Sequence, residues 1–361
     1  INKDLAINIK KENPKIPIAI GGPHITIQKE LVLDPAAFDF LFIGEAEASF
    51  PQMVDIYETG GDLSEVQGII FRRNGELVKT GVANPFTDMK KDEEYPLDHF
   101  PFAARHLLPM EKYKIGTLQG RKQFHSIQTM RGCPWKCIFC ASEDLKTTRV
   151  IKRSPRSVVK EIKSIVENFN TRHFYIIDDV MTLWPDHITE ICDVLDEENL
   201  SITFEGSTRA NLVTEKLIER LARSGLIRLS FGLETVDSEM RKTMKKKVPL
   251  QYYINSNRIL NKYNVEAINS VMIGLPGETK ETIEKTLCFL ENHREIKQAN
   301  FAITVPYPGT ELHEMAINGE HGMKLLTDDF SEYRRYGSAV MQVNELSPDD
   351  LIDLQNEGFV R

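Results

Sequence analysis

Three cysteines crowd into one short stretch, Arg131-Gly132-Cys133-Pro134-Trp135-Lys136-Cys137-Ile138-Phe139-Cys140. Their spacing is C-x3-C-x2-C, just after a short strand-like segment, Phe124–Thr129. A loop of this kind lets a short backbone wrap a compact metal centre. Three thiolates can hold three irons of a cubane cluster and leave the fourth iron open to an outside ligand. A structural zinc ion would instead require a fourth protein ligand to close its tetrahedron. His125 is the nearest candidate, but it lies inside the predicted strand, and there is no second cysteine pair. Cys192 and Cys288 stand alone on amphipathic helical patterns and read as buried packing residues. An odd, clustered count of five cysteines argues against a secreted disulfide scaffold and for a metal site in a reducing compartment, with the cytoplasm as default.

The elements that must position these thiols follow from hydrophobic periodicity. After Phe124 strand-like and helix-like segments alternate. Strands are expected at His173–Asp179, Ile202–Ser207, Leu226–Leu233, Ala267–Leu275 and Ala299–Val305. Helices are expected near 157–168, 185–197, 238–245, 250–263 and 279–293, and Thr214 can cap another. Six near-continuously apolar strands alternating with helices predict an α/β fold with a parallel sheet covered on both faces. Six units fall short of a closed eight-stranded barrel, so an open, partial (β/α)6 barrel or a doubly wound sheet is expected.

Ligands gather at the carboxyl ends of such strands. Here those ends carry polar residues or Gly/Pro turns. They are the three cysteines, Asp178-Asp179, Ser207-Thr208-Arg209, Gly232-Leu233-Glu234-Thr235, Gly274-Leu275-Pro276-Gly277 and Pro306-Tyr307-Pro308-Gly309. Each has a bland alternative: a helix cap, a surface charge, a tight turn. All six on one sheet edge are harder to dismiss. The basic run Arg241 to Lys247 reads as a solvated helix face.

The cysteine spacing, with aromatic Phe139 just before the third cysteine, resembles the signature of the radical S-adenosylmethionine (SAM) superfamily. The resemblance covers roughly residues 120–320. It implies a [4Fe–4S] cluster on Cys133, Cys137 and Cys140 whose open iron chelates SAM. It also implies reductive cleavage to a 5′-deoxyadenosyl radical that abstracts hydrogen from an unactivated carbon. Carried over position by position, it assigns Asp178 and Asp179 to the stretch holding the SAM amino group, where Gly-Gly-Glu is more usual. It gives Arg209, with Ser207, to the methionyl carboxylate, and Glu234 to the SAM amine or ribose. Gly274 and Pro276 fall on the turn approaching the adenine, and Tyr307 beside the same pocket.

Residues 1–83 form a different block. Ile18-Ala19-Ile20-Gly21-Gly22-Pro23-His24 and Phe42-Ile43-Gly44-Glu45 resemble the second half of a cobalamin-binding Rossmann-like domain, with Gly21 and Gly22 under the cofactor's nucleotide tail. His24 reads as a plain loop histidine. A short helix is expected to begin at Leu31, and Asn74-Gly75 signals a hairpin. Residues 84–119 read as a surface linker, 120–320 as the radical SAM core, and 321–361 as an incomplete extension of mixed helix and loop. The chain begins at Ile1 as if inside a helix and stops abruptly at Arg361, so a piece of a longer protein is expected.

The 361 residues are 41% hydrophobic and 27% charged, as in an ordinary globular protein with a full core. A net charge of −8 argues against a broad nucleic-acid footprint, and no apolar run is long enough to span a bilayer. Expected partners are a small-molecule substrate and a reducing donor such as flavodoxin or ferredoxin. Cobalamin would allow methyl transfer to a carbon radical, and ring closure is the other outcome implied. A radical SAM methylthiotransferase fits less well, because residues 1–132 hold no second cysteine set. A non-enzymatic iron–sulfur electron carrier would need a fourth ligand and has no use for the other strand ends.

Overall fold

A computed structural model describes residues 2–29, 34–83, 93–117, 120–141 and 150–361. The helix expected from Leu31 lies outside the described residues. The chain divides into two compact units, chiefly residues 1–96 and 97–361. This boundary falls inside the stretch read as a linker, and the carboxyl-terminal residues belong to the second unit.

In the first unit, helix α1 (Asn2–Glu12) precedes strand β1 (Ala19–Ile20) and helix α2 (Pro23–Gln28). Strand β2 (Phe40–Phe42) pairs parallel with β1, and helix α3 (Ser49–Thr59) follows. Strands β3 (Ile69–Arg73) and β4 (Glu76–Lys79) complete a sheet in the order β1-β2-β3-β4, the last pair joined by the hairpin expected at Asn74-Gly75. The parallel pair is held by apolar packing of Leu41, Ile43 and Ile70 with Ala6 and Ile25. His24 sits in α2 rather than in a loop.

The second unit opens with a hairpin, β5 (Lys114–Thr117) and β6 (Gly120–Gln123). Strand β7 (His125–Ile127) leads to a short pair, β8 (Met130–Arg131) and β9 (Ile151–Lys152). Then α4 (Pro155–Phe169), β10 (His173–Ile176), α5 (Pro185–Glu197), β11 (Thr203–Thr208), α6 (Glu215–Arg223) and β12 (Leu226–Glu234) follow. They are succeeded by α7 (Ser238–Thr243), α8 (Leu250–Lys262), β13 (Glu266–Ile273), α9 (Lys280–Asn292), β14 (Ala299–Ile303) and α10 (Glu311–Asn318). The chain closes with the antiparallel pair β15 (Met323–Leu325) and β16 (Met341–Val343) and helix α11 (Pro348–Val360). The stretch read as mixed helix and loop thus holds an antiparallel strand pair and one helix.

The main sheet runs β14-β13-β12-β11-β10-β7, every neighbouring pair parallel. This order is sequential. Same-handed crossovers between neighbours taken in sequence put every connecting helix on one face. A doubly wound sheet needs a reversal of order, and there is none, so the partial barrel is the architecture. Its outer face is apolar: Val158, Ile162, Ile188, Ile191, Ile218 and Leu221 from α4, α5 and α6 pack on Phe174, Phe204 and Leu229 of the strands. Helix starts are set locally. Thr214 caps α6 by accepting from Leu217 N–H, as expected, and Ser154 caps α4 in the same way. Among the described residues no helix is long and apolar enough to cross a membrane.

Candidate active site

The carboxyl ends of the six strands meet around a cavity of about 330 Å³. Cys133, Cys137 and Cys140 line it, together with Asp179, Ser207, Arg209, Glu234 and Tyr307. A larger cavity, about 790 Å³, is lined by Tyr175, Glu205 and Arg228 among others and contains no cysteine. Chemistry rather than size marks the smaller one.

The cysteine loop is anchored through its middle. Ile138, between the second and third thiols, is buried against Met240, Met244, Leu275 and Leu312. Its carbonyl accepts the Leu312 N–H at 3.0 Å, and the Cys140 N–H donates to the Cys137 carbonyl at 3.0 Å. None of the three cysteines forms a disulfide, and burial pushes the thiols of Cys133 and Cys137 up, opposed at Cys137 by the charges of Lys246 and Arg209. Metal binding has to displace these protons. Among the described residues no three His, Cys, Asp or Glu side chains close on a point that one ion could fill. Tetrahedral zinc needs such a point; a cubane does not, because each thiolate binds a different iron. His125 does not line this cavity; it is fully buried, its ring 4.9 Å from that of Phe169. Three cysteines outside any disulfide on one cavity fit a cluster in which each thiolate binds a different iron.

Arg209 leaves the end of β11 and lays its guanidinium over the Trp135 ring at 4.2 Å. Its Nε is buried without a protein acceptor, a donor suited to an anionic group. Trp135 thus supports Arg209 besides packing the loop. Glu234 is turned into the cavity by a register shift in β12 and has φ 63°, the left-handed region, uncommon outside glycine. Its carboxylate accepts from Lys246 Nζ at 2.7 Å in a buried ion pair. A Cβ at Gly232 would collide with both partners, so glycine there makes room for the pair. Lys246 belongs to the run read as solvated, and that reading is corrected. Lys246 and Arg241 are both buried, the latter donating to the carbonyls of Leu233, Thr235 and Val248. Lys246 was missed because like charges crowd its neighbourhood in the chain.

Three residues assigned to SAM from the resemblance do not line the cavity. The Asp178 side chain is buried and turns away, accepting from the amides of Thr129 at 2.7 Å and Met130 at 3.1 Å and from the Thr129 hydroxyl. Burial pushes its carboxyl up to about 6 against these donors. Gly274 and Pro276 are buried beneath the turn. The amides of Gly274 and Leu275 donate to Glu278, whose carboxyl burial pushes up to about 8. The ring at Pro276 and the backbone at Gly274 therefore shape the turn rather than face the cavity. Cys192 is buried as expected, but Cys288 is half-buried and donates to Glu284 at 3.1 Å.

Residues 127–290 match the radical SAM superfamily. An uncharacterized methyltransferase of Pyrococcus horikoshii is 28% identical over 352 residues, covering 97% of this chain and 73% of that protein. The anaerobic magnesium-protoporphyrin IX monomethyl ester cyclase of Rubrivivax gelatinosus is 26% identical over 351 residues, covering 95% of this chain and 60% of the cyclase. The chain thus spans only part of these relatives. The fold is that of the radical SAM methyltransferase TsrM from Kitasatospora setae, solved with cobalamin and a [4Fe–4S] cluster bound, at a TM-score of 0.69 and 16% identity, covering 96% of this chain and 66% of that one. The parallel partial barrel and the cysteine loop at its strand ends lie largely within the stretch, residues 127–290, that matches the radical SAM superfamily.

Proposed function

We propose that this chain is the greater part of a cobalamin-dependent radical SAM enzyme that methylates, or closes a ring at, an unactivated carbon of a small molecule. One observation carries the reading: three cysteines outside any disulfide share a cavity with an anion-ready guanidinium at the ends of a parallel partial barrel. Cys133, Cys137 and Cys140 would hold the [4Fe–4S] cluster. Reduced and bound to SAM, such a cluster supplies an adenosyl radical able to take hydrogen from carbon.

The chain's own residues bind and orient. Arg209, flattened on Trp135, suits the methionyl carboxylate of SAM, with the Ser207 hydroxyl beside it. The Glu234 carboxylate, held by Lys246, suits the amine or ribose. Asp179 and Tyr307 line the same cavity, and we assign Asp179 to the SAM amino group. Cobalamin would lie over Gly21 and Gly22. Gly22 has φ 103° and open space where a Cβ would sit, so backbone there can approach a flat ligand. We assign residues 1–83 to half of that cobalamin domain, 84–119 to the linker, 120–320 to the core and 321–361 to the extension. A flavodoxin- or ferredoxin-like donor and a cytoplasmic setting complete the proposal.

The test is anaerobic reconstitution with iron and sulfide, followed by an assay for 5′-deoxyadenosine and S-adenosylhomocysteine formed from SAM and a strong reductant. Both products are expected for radical methyl transfer, and deoxyadenosine alone points to ring closure or another radical outcome. A well-formed cluster that yields neither product refutes the proposal.

A further inference from the structure

Between β7 and Cys133 the chain turns through Gln128, Thr129 and Met130, and two buried charges grip this turn from opposite sides. The Asp178 carboxylate takes the amides of Thr129 and Met130 and the Thr129 hydroxyl. Facing the carbonyls is Arg153, 9% exposed. Its own N–H donates to the Thr129 carbonyl at 2.9 Å and its guanidinium to the Gln128 carbonyl at 3.1 Å. Glu161, 4% exposed, holds that guanidinium with one oxygen and Arg105 with the other. Arg105 in turn donates to the Ser126 carbonyl at 2.8 Å, one step back along β7.

A buried carboxylate is tolerable only while its donors stay in place. Any shift of the turn would strand Asp178 on one side and Arg153 on the other. The cysteine loop departs directly from this turn, and a cluster needs its thiolates held to within about 0.5 Å. We propose that Asp178 is a positioning residue for the cluster, one jaw of a clamp whose other jaw is Arg153 braced by Glu161. The proposal rests on the reading of Cys133, Cys137 and Cys140 as cluster ligands. Asp178 reaches the chemistry only through the backbone it holds.

The experiment compares full-length wild type with Asp178→Asn and Asp178→Ala, reconstituted anaerobically. It reads iron per chain, the rate of iron loss to a chelator, the EPR spectrum of the reduced cluster with and without SAM, and amide hydrogen exchange over 128–133. The asparagine variant keeps the size of the side chain and folds even if the alanine variant does not. The alanine variant is expected to exchange these amides at least about tenfold faster, as loss of hydrogen bonds to a charged acceptor implies, and the asparagine variant, which keeps a neutral acceptor oxygen, by a smaller factor. They should also lose iron faster and show an altered EPR response to SAM. Faster exchange with wild-type iron retention and EPR would mean that Asp178 serves stability alone, and overturns the proposal. Unchanged exchange overturns it as well. Wild-type protein that binds no iron overturns the cysteine reading itself, and the proposal falls with it.

Discussion

Replacing Lys246 by methionine removes one ammonium from the cavity wall and keeps most of the side-chain volume. Lys246 and Glu234 are each 8% exposed, with Nζ and Oε1 2.7 Å apart. At that separation the attraction is roughly 6 kcal/mol for an effective dielectric near 20, and desolvation of both ions offsets much of it. The variant loses the attraction but keeps the desolvated carboxylate, and one-sided loss of a buried pair costs about 3–5 kcal/mol. For a unit of this size, about 2–4 °C per kcal/mol converts this to a fall of roughly 6–20 °C in Tm. Lys246→Met with Glu234→Gln no longer carries the stranded charge and should regain on the order of half the loss. Melting curves of both variants and wild type, with and without the cluster, measure this. A Lys246→Met protein melting within about 2 °C of wild type, or a double variant no more stable than the single one, would refute the reasoning.

Arg209→Lys keeps the charge but loses the planar stack on Trp135 and the two-pronged donor; equilibrium binding of SAM to the reconstituted protein should weaken about tenfold to a hundredfold. An unchanged Kd would remove Arg209 from the SAM site. Glu278 has a folded pKa of about 8, above its ordinary 4.5. The native state therefore holds the proton more tightly, and the stability from the protonated acid is full below about pH 4.5 and lost as pH rises towards 8. Glu278→Gln keeps an acceptor for the Gly274 and Leu275 amides without titrating, so its Tm should fall less than that of wild type between pH 5 and 8; parallel curves would contradict this. Iron analysis separates the cysteines: Cys137→Ser should lose most bound iron, whereas Cys192→Ser, a change inside the apolar core, should retain it. Iron lost equally from both would argue against a local cluster site.

What the sequence by itself determined is what depends on near neighbours. The cysteine loop was legible because its ligands lie within one short segment. The strand ends were legible because polar residues and turns interrupt apolar runs, and the hairpin at Asn74-Gly75 because the turn type demands those residues. The cap at Thr214 likewise acts within one helical turn.

Only the tertiary structure decided which way side chains face. Asp178 and Asp179 are adjacent and chemically alike, yet successive residues leaving a strand point to opposite sides. One grips the turn before the cysteines and the other lines the cavity. Lys246 sits among like charges that read as solvated. Its placement depends on α7 ending early and on Lys245 adopting φ 57°, after which Lys246 is buried against Glu234. Gly274 and Pro276 stand in a turn that is covered by distant chain: the Gly277 amide donates to the His321 carbonyl and the Asn344 side chain to the Glu278 carbonyl. The choice between a doubly wound sheet and a partial barrel was of the same kind. Strand content is local, but strand order is a property of the assembled sheet, and the sequential order bends this one around its cysteines.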